Sequence, residues 1–158
     1  MTNEKELMDD IAKMFEQHPE VSSFVKLHNT YVHAVDDLED KAVDVNPLYV
    51  AELAMLYYNH PVYVKNREAL YLVSYLNHNS YRDSVAWEKN NFDDNGMRLE
   101  AAKTLRHASI DMFFALVLLY CGPLELARIS PRLRAYTLEK HRDDIEFAPK
   151  IWLWACLT

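Results

Sequence analysis

Four acidic residues fall within five positions at Asp36-Asp37-Leu38-Glu39-Asp40, shortly after His33. Asp36 and Asp40 are four apart and share one face of a helix, with Asp37 beside them. Hard carboxylate oxygens are the ligands Mg²⁺ takes, and a bound Mg²⁺ in turn holds phosphate oxygens. A second set, Glu100, His107 and Asp111, runs at seven- and four-residue steps. A His–Asp pair four apart is a base with its orienting partner, two metal ligands, or a pair on a helix surface. Asp111 leads into Met112-Phe113-Phe114-Ala115-Leu116, so it is expected to be partly withdrawn from water. No motif ties a serine or cysteine nucleophile to this pair. The seven histidines show neither HExxH nor Cys/His ligand spacing, so zinc is not indicated.

The Asp36-Asp37-x-x-Asp40 spacing resembles the aspartate-rich motif of class I isoprenoid synthases, over these five residues. In that family such aspartates hold Mg²⁺, and the metal holds a diphosphate. The resemblance implies a Mg²⁺-dependent all-α enzyme acting on a phosphate or diphosphate. Asp36, Asp37 and Asp40 would bind metal, Glu88 or Asp111 would assist, and Arg132 or Arg134 would hold phosphate. The family's second metal motif, Asn/Asp, Ser/Thr and Glu at four-residue steps, has a counterpart in Ser80, Ser84 and Glu88. Ser80 stands there where Asn or Asp is expected, and the synthases are much longer than 158 residues.

Helix geometry bears on the same cluster. At about 100° per residue, the apolar stripe around it centres on Phe24, His28, Tyr31, Val35, Leu38 and Ala42. Asp36 lies roughly 100° from that centre, Asp40 roughly 140° and Asp37 near 160°, with His33 almost opposite. The cluster is thus expected on the face turned from the core, as a solvated or partner-binding surface. A metal site would need it to face a cavity.

Two further groups carry polar chemistry. Arg128, Arg132, Arg134, Lys140, His141 and Arg142 form a basic segment suited to phosphate, to an acidic protein surface, or to solvent. On the helix over 62–89, the best inner face reads Val62, Asn66, Ala69, Val73, Leu76, Asn77, Ser80, Ser84 and Trp87. Asn77, Ser80 and Ser84 there imply buried hydrogen bonds, close helix approach, or a polar pocket. Val64, Tyr71, Tyr75, His78 and Val85 form a second, half-apolar face. A helix apolar on two sides is central in a bundle or shared with an interface; the central position is the expectation here, and a homodimer contact the alternative.

The elements that must position these groups are helices. Periodicity and punctuation predict one from Glu4 to Gln17, and a second from near Glu20 that ends before Pro47. A third spans Leu48 to Tyr58, a fourth Val62 to Lys89, and a fifth Met97 to Tyr120. The sixth follows Gly122-Pro123 and is expected to break at Ser130-Pro131. Asn90-Asn91-Phe92-Asp93-Asp94-Asn95-Gly96 is the clearest loop. Glycine occurs only at Gly96 and Gly122. That leaves no glycine loop for a nucleotide phosphate and little room for a turn-rich β fold. The expected fold class is all-α, a single-domain helical bundle of five to six helices over 1–158. The apolar tail 147–158, with Trp152 and Trp154, is expected to pack on the bundle or on a partner.

Charge sets the function classes. The net charge is −7. Residues 1–60 carry 12 acids and 4 bases, while the stretch from Arg98 to Arg142 carries 8 bases and 4 acids. An acidic surface repels nucleic acid, so no nucleic-acid partner is expected. Met112 to Cys121 is about half a membrane span, so no membrane partner is expected. Cys121 and Cys156 have no metal spacing, and the acidic N-terminus lacks a signal core, which together suggest a cytoplasmic protein. The expected function is that of a small acidic intracellular protein that binds a protein partner, with no cofactor assigned. The alternative is the Mg²⁺ enzyme, for which Glu88, His107 and Asp111 are the catalytic candidates.

Overall fold

Asparagine and proline set where the first helices begin. A computed structural model describes residues 3–41, 44–90 and 92–142, the side chains of 140–142 excepted. The first helix, α1, is Glu4–Met14, and the Asn3 side chain accepts a hydrogen bond from the Glu6 N–H at its start. Glu4 and Glu6 in its first turn favour the positive end of the helix dipole. Helix α2, Pro19–Asp40, opens on proline and closes at Lys41 in left-handed backbone, φ 54°. Helix α3, Pro47–Asn59, is capped by Asn46, whose side-chain oxygen accepts from the Leu48 N–H at 2.9 Å.

The predicted fourth helix is two helices. Pro61–Lys65 forms α4 and Arg67–Lys89 forms α5, broken at Asn66 with φ −112° and ψ 28°. Asparagine competes with the helix through its own amide, which favours such a break. The predicted fifth helix is also divided. Helix α6, Met97–Arg106, passes into a 3₁₀ turn at His107–Ser109 before α7, Ile110–Cys121. The expected break at Ser130-Pro131 is absent, and α8 runs continuously over Pro123–Arg142. Ile129 and Leu133 on either side of the proline are fully buried, and their packing holds the helix through it. The protein is all-α, and the described residues contain no strand. The tail 147–158, with Trp152 and Trp154, lies outside the described residues.

The described residues group into two compact units. The first comprises those up to Lys65 together with those from Val117 on. Its core joins Leu7, Ile11 and Phe15 with Val21 and Phe24 of α2, Val62, Ile129 and Leu133, each no more than 2% exposed. Burying each large apolar side chain contributes about 1.5–3 kcal/mol. Helix α8 lies along α1 in the opposite direction, since Tyr136 donates to Glu4 while Arg128 reaches Asp10. The second unit is Asn66–Leu116, in which α5 packs on α6. Ser84 and Ala102 are both fully buried, and small side chains let two helices approach closely.

Candidate functional site

The densest chemistry in the first unit lies where α2, α3 and α4 meet. Tyr57, 2% exposed, is ringed by aromatic side chains. Phe24 stacks on it at 5.1 Å between centroids, and Tyr31, Tyr58 and Tyr63 pack within 5.4 Å of it. His28 Nδ1 and the Tyr57 hydroxyl are 3.3 Å apart and share a hydrogen bond. Beside this cluster runs an open, mostly apolar groove of about 810 Å³. Ser23 and Leu27 of α2 form one wall. Glu52, Met55 and Leu56 of α3 form the other, and His60 closes the end.

His60 joins three elements. Its Nδ1 accepts a hydrogen bond from the Val62 N–H at 3.2 Å, which caps α4. Its Nε2 lies 3.4 Å from Ser23 Oγ on α2, and its ring packs on Phe24 at 5.1 Å. An Nδ1 that accepts has no proton, so the neutral ring carries its proton on Nε2 and donates to Ser23. A serine nucleophile needs the reverse, an Nε2 lone pair facing its hydroxyl. Ser23 and His60 are therefore a structural pair in this arrangement. Burial of His60 lowers its pKa, because desolvation disfavours the imidazolium. Sequence reasoning missed this site because histidine is an unusual helix cap and Ser23 is 37 positions away.

Helix α3 presents the other notable feature of this face. Leu48 is 71% exposed, Met55 62% and Leu56 60%. Met55 and Leu56 line the groove, so this apolar surface is continuous with it.

Comparison with protein families, with curated proteins and with solved structures gave no match.

The acidic cluster occupies the last two turns of α2. Asp40 is exposed, and Asp36 and Asp37 are half-buried. The buried line of α2 runs through Val25 and Asn29 as well as Phe24 and His28. Asp36 continues the Val25–Asn29 line, which a stripe centred on Phe24 and Val35 does not capture. Among the described residues, no three His, Cys, Asp or Glu side chains are grouped so as to hold a metal ion.

In the second unit, Glu88 forms an ion pair with Arg106, whose guanidinium also lies over the Tyr81 ring at 5.5 Å. His107 sits half-buried in the 3₁₀ turn. Asp111 is exposed at the start of α7, contrary to the expected desolvation. Met112, Phe113 and Phe114 are buried, while Asp111, one position earlier at the helix start, is exposed. Ser84 is fully buried and its hydroxyl donates to the Tyr81 carbonyl at 2.6 Å. Asn77 keeps a buried Nδ2 with no hydrogen-bond partner, and Ser80 is half-buried. Leu76, placed by sequence on the inner face, is 57% exposed.

The basic segment divides. Arg128 and Arg132 both bind the Asp10 carboxylate, and Arg128 also binds Glu125. Arg134 is exposed, and the side chain of Arg142 lies outside the described residues. The charge asymmetry of the sequence is thus partly joined within the chain, α1 to α8. Asp10 falls to a pKa of about 2, chiefly through its hydrogen bond from Arg128, while burial opposes the shift. Cys121 is half-buried and its thiol donates to the Met14 carbonyl at 3.5 Å. Burial and then the charge of Glu125 raise its pKa. Met97–Cys121, as one stretch, is long and apolar enough to cross a membrane by length and composition, and 33% of its most apolar window is buried.

Proposed function

We propose that this chain acts by binding another protein, and that the groove between α2 and α3 is the docking site. The observation that supports this most is the exposure of Met55 and Leu56, at 62% and 60%, along a mostly apolar groove. Contiguous apolar surface of this kind marks interaction sites on soluble proteins. The partner's chemistry follows from charge. The groove carries Glu52 and belongs to the part of the chain in which 12 acids face 4 bases. An amphipathic helix with an apolar stripe and basic flanks is the complementary ligand.

Two synthetic amphipathic peptides test this reading, identical in their apolar positions and flanked by lysine in one and glutamate in the other. Titration calorimetry is expected to show binding of the lysine peptide and much weaker binding of the glutamate peptide. Leu56→Asp is expected to remove the binding, since covering one leucine contributes about 1.5–3 kcal/mol, or roughly tenfold or more in affinity. Leu124→Asp, at an exposed position of α8, is expected to leave it intact. Binding that ignores the flanking charge and Leu56→Asp would overturn the proposal.

A further inference from the structure

Helix α5 carries an exposed face distinct from the groove. Tyr71 is 60% exposed, Leu72 59%, Tyr75 61% and Leu76 57%. Glu68 and Arg82, also exposed, flank Tyr75 at seven residues on either side. At about 100° per residue, both fall within roughly 20° of Tyr75, so the three form one line along the helix. Tyr71 and Leu72 lie within about 60° of that line on its two sides. Arg82 donates to Asn79 Oδ1 at 2.7 Å, which holds its guanidinium over this face.

A line reading acid, aromatic, base at equal heptad steps is complementary to itself when reversed. In a two-fold pair of antiparallel helices centred on Tyr75, the two Tyr75 rings meet. Glu68 then faces Arg82 of the second copy, and Arg82 faces its Glu68. Tyr71 comes beside His78 of the second copy, and Leu72 beside its Asn79 and Leu76. A parallel pair would instead set Glu68 against Glu68 and Arg82 against Arg82, which like-charge repulsion opposes. From these relations we infer that α5 is an interface with a second copy of this chain, paired antiparallel about Tyr75. This inference concerns another surface than the groove and stands or falls independently of it.

Charge reversal tests it. Wild-type protein is expected to sediment as a dimer at high-micromolar concentration. Glu68→Arg leaves two arginine pairs across the axis, and Arg82→Glu leaves two glutamate pairs. Each variant alone is expected to sediment as a monomer, with at least a tenfold loss in association. Mixing the two restores both complementary pairs, so native mass spectrometry is expected to show the heterodimer in preference to either homodimer. The double variant E68R/R82E is expected to dimerise again. A wild-type monomer at every concentration, or single variants that dimerise as well as wild type, would overturn the inference. Should a reversal variant fail to fold, Tyr75→Cys keeps the test open. It is expected to form a disulfide across the axis under mild oxidation, while Glu68→Cys joins to Arg82→Cys in a mixture and not to itself. Self-linking of Glu68→Cys and none of Tyr75→Cys would refute the two-fold centre.

Discussion

Arg128, early in α8, grips the Asp10 carboxylate of α1 through both terminal guanidinium nitrogens, across 118 positions of sequence. Arg132 adds a third hydrogen bond to the same carboxylate. The cluster ties the acidic start of the chain to its basic C-terminal helix. Glu125 braces Arg128 from the other side, so the guanidinium is held in place before it meets Asp10. A bidentate geometry of this kind is stronger than an ordinary surface ion pair.

The pH dependence of that cluster has a definite sign. Asp10 titrates at about 2 in the folded chain, against 3.8 ordinarily. Its contribution is fully present above 3.8 and is lost as pH falls toward 2. Arg128 is 41% exposed, and solvent screening trims the effect to about 1–2 kcal/mol. Asp10→Asn is therefore expected to lower stability by about that amount at pH 7 and by almost nothing near pH 2. Urea unfolding of both proteins across this range measures it. An equal deficit at both ends would mean that the charge of Asp10 is not what stabilises the contact.

His60 gives a second pH dependence, of the same sign and in a different window. Burial lowers its pKa below the usual 6.5, so the unfolded chain binds the proton more readily than the folded one. Stability is full above 6.5 and declines as pH drops through that value toward the folded pKa. Protonation also puts a hydrogen on Nδ1, where the Val62 N–H already points, so the cap on α4 is lost. Asparagine is among the best helix caps and does not titrate. His60→Asn keeps a cap for α4 but loses the ring's contact with Phe24, so it is expected to be less stable than wild type near neutrality and to lose less further stability between pH 7 and pH 5. Unfolding midpoints at the two pH values decide this, and an unchanged acid sensitivity would assign the titration to another histidine.

Particular residues show how far the sequence could be read. Gly96 and Gly122 were legible, because two glycines in a helical chain can only be punctuation. They sit at φ 79° and 93° at the start of α6 and between α7 and α8. The start of α5 was not legible, because Asn66 is tolerable inside a helix and breaks one only by local competition. The partial burial of Asp36 is not legible in a single stripe along the 22 residues of α2, because the buried line also takes in Val25 and Asn29. The pairing of Asp10 with Arg128 was foreshadowed only by the charge asymmetry. No periodicity within either helix specifies a partner so far away.

Cys121 illustrates a thiol placed for packing. It donates to the Met14 carbonyl, and both burial and the charge of Glu125 disfavour the thiolate. Only the thiolate reacts with alkylating or disulfide reagents. In a Cys156→Ser background, Ellman's reagent is expected to modify the folded protein at least about tenfold more slowly than it modifies the urea-unfolded chain. A fast phase in the folded protein would show that Cys121 is open to solvent.

Pro131 lies inside α8 and is exposed. It has no N–H to donate to the Ala127 carbonyl one turn earlier, and its ring crowds that carbonyl, a combination that costs a helix interior about 3 kcal/mol. The helix continues because Ile129, Leu133 and Tyr136 are buried on either side of the proline. Packing therefore overrides a local preference that, from the sequence, favours two segments. Replacing the proline restores the hydrogen bond but frees the unfolded chain, which offsets about 0.4–1 kcal/mol of the gain. Pro131→Ala is expected to stabilise the protein by about 2–2.6 kcal/mol, seen as a higher urea midpoint with an unchanged slope. A neutral or destabilising result would mean that the backbone around Ala127 already satisfies its carbonyl by bending, and that α8 depends on the bend for its seat against α1.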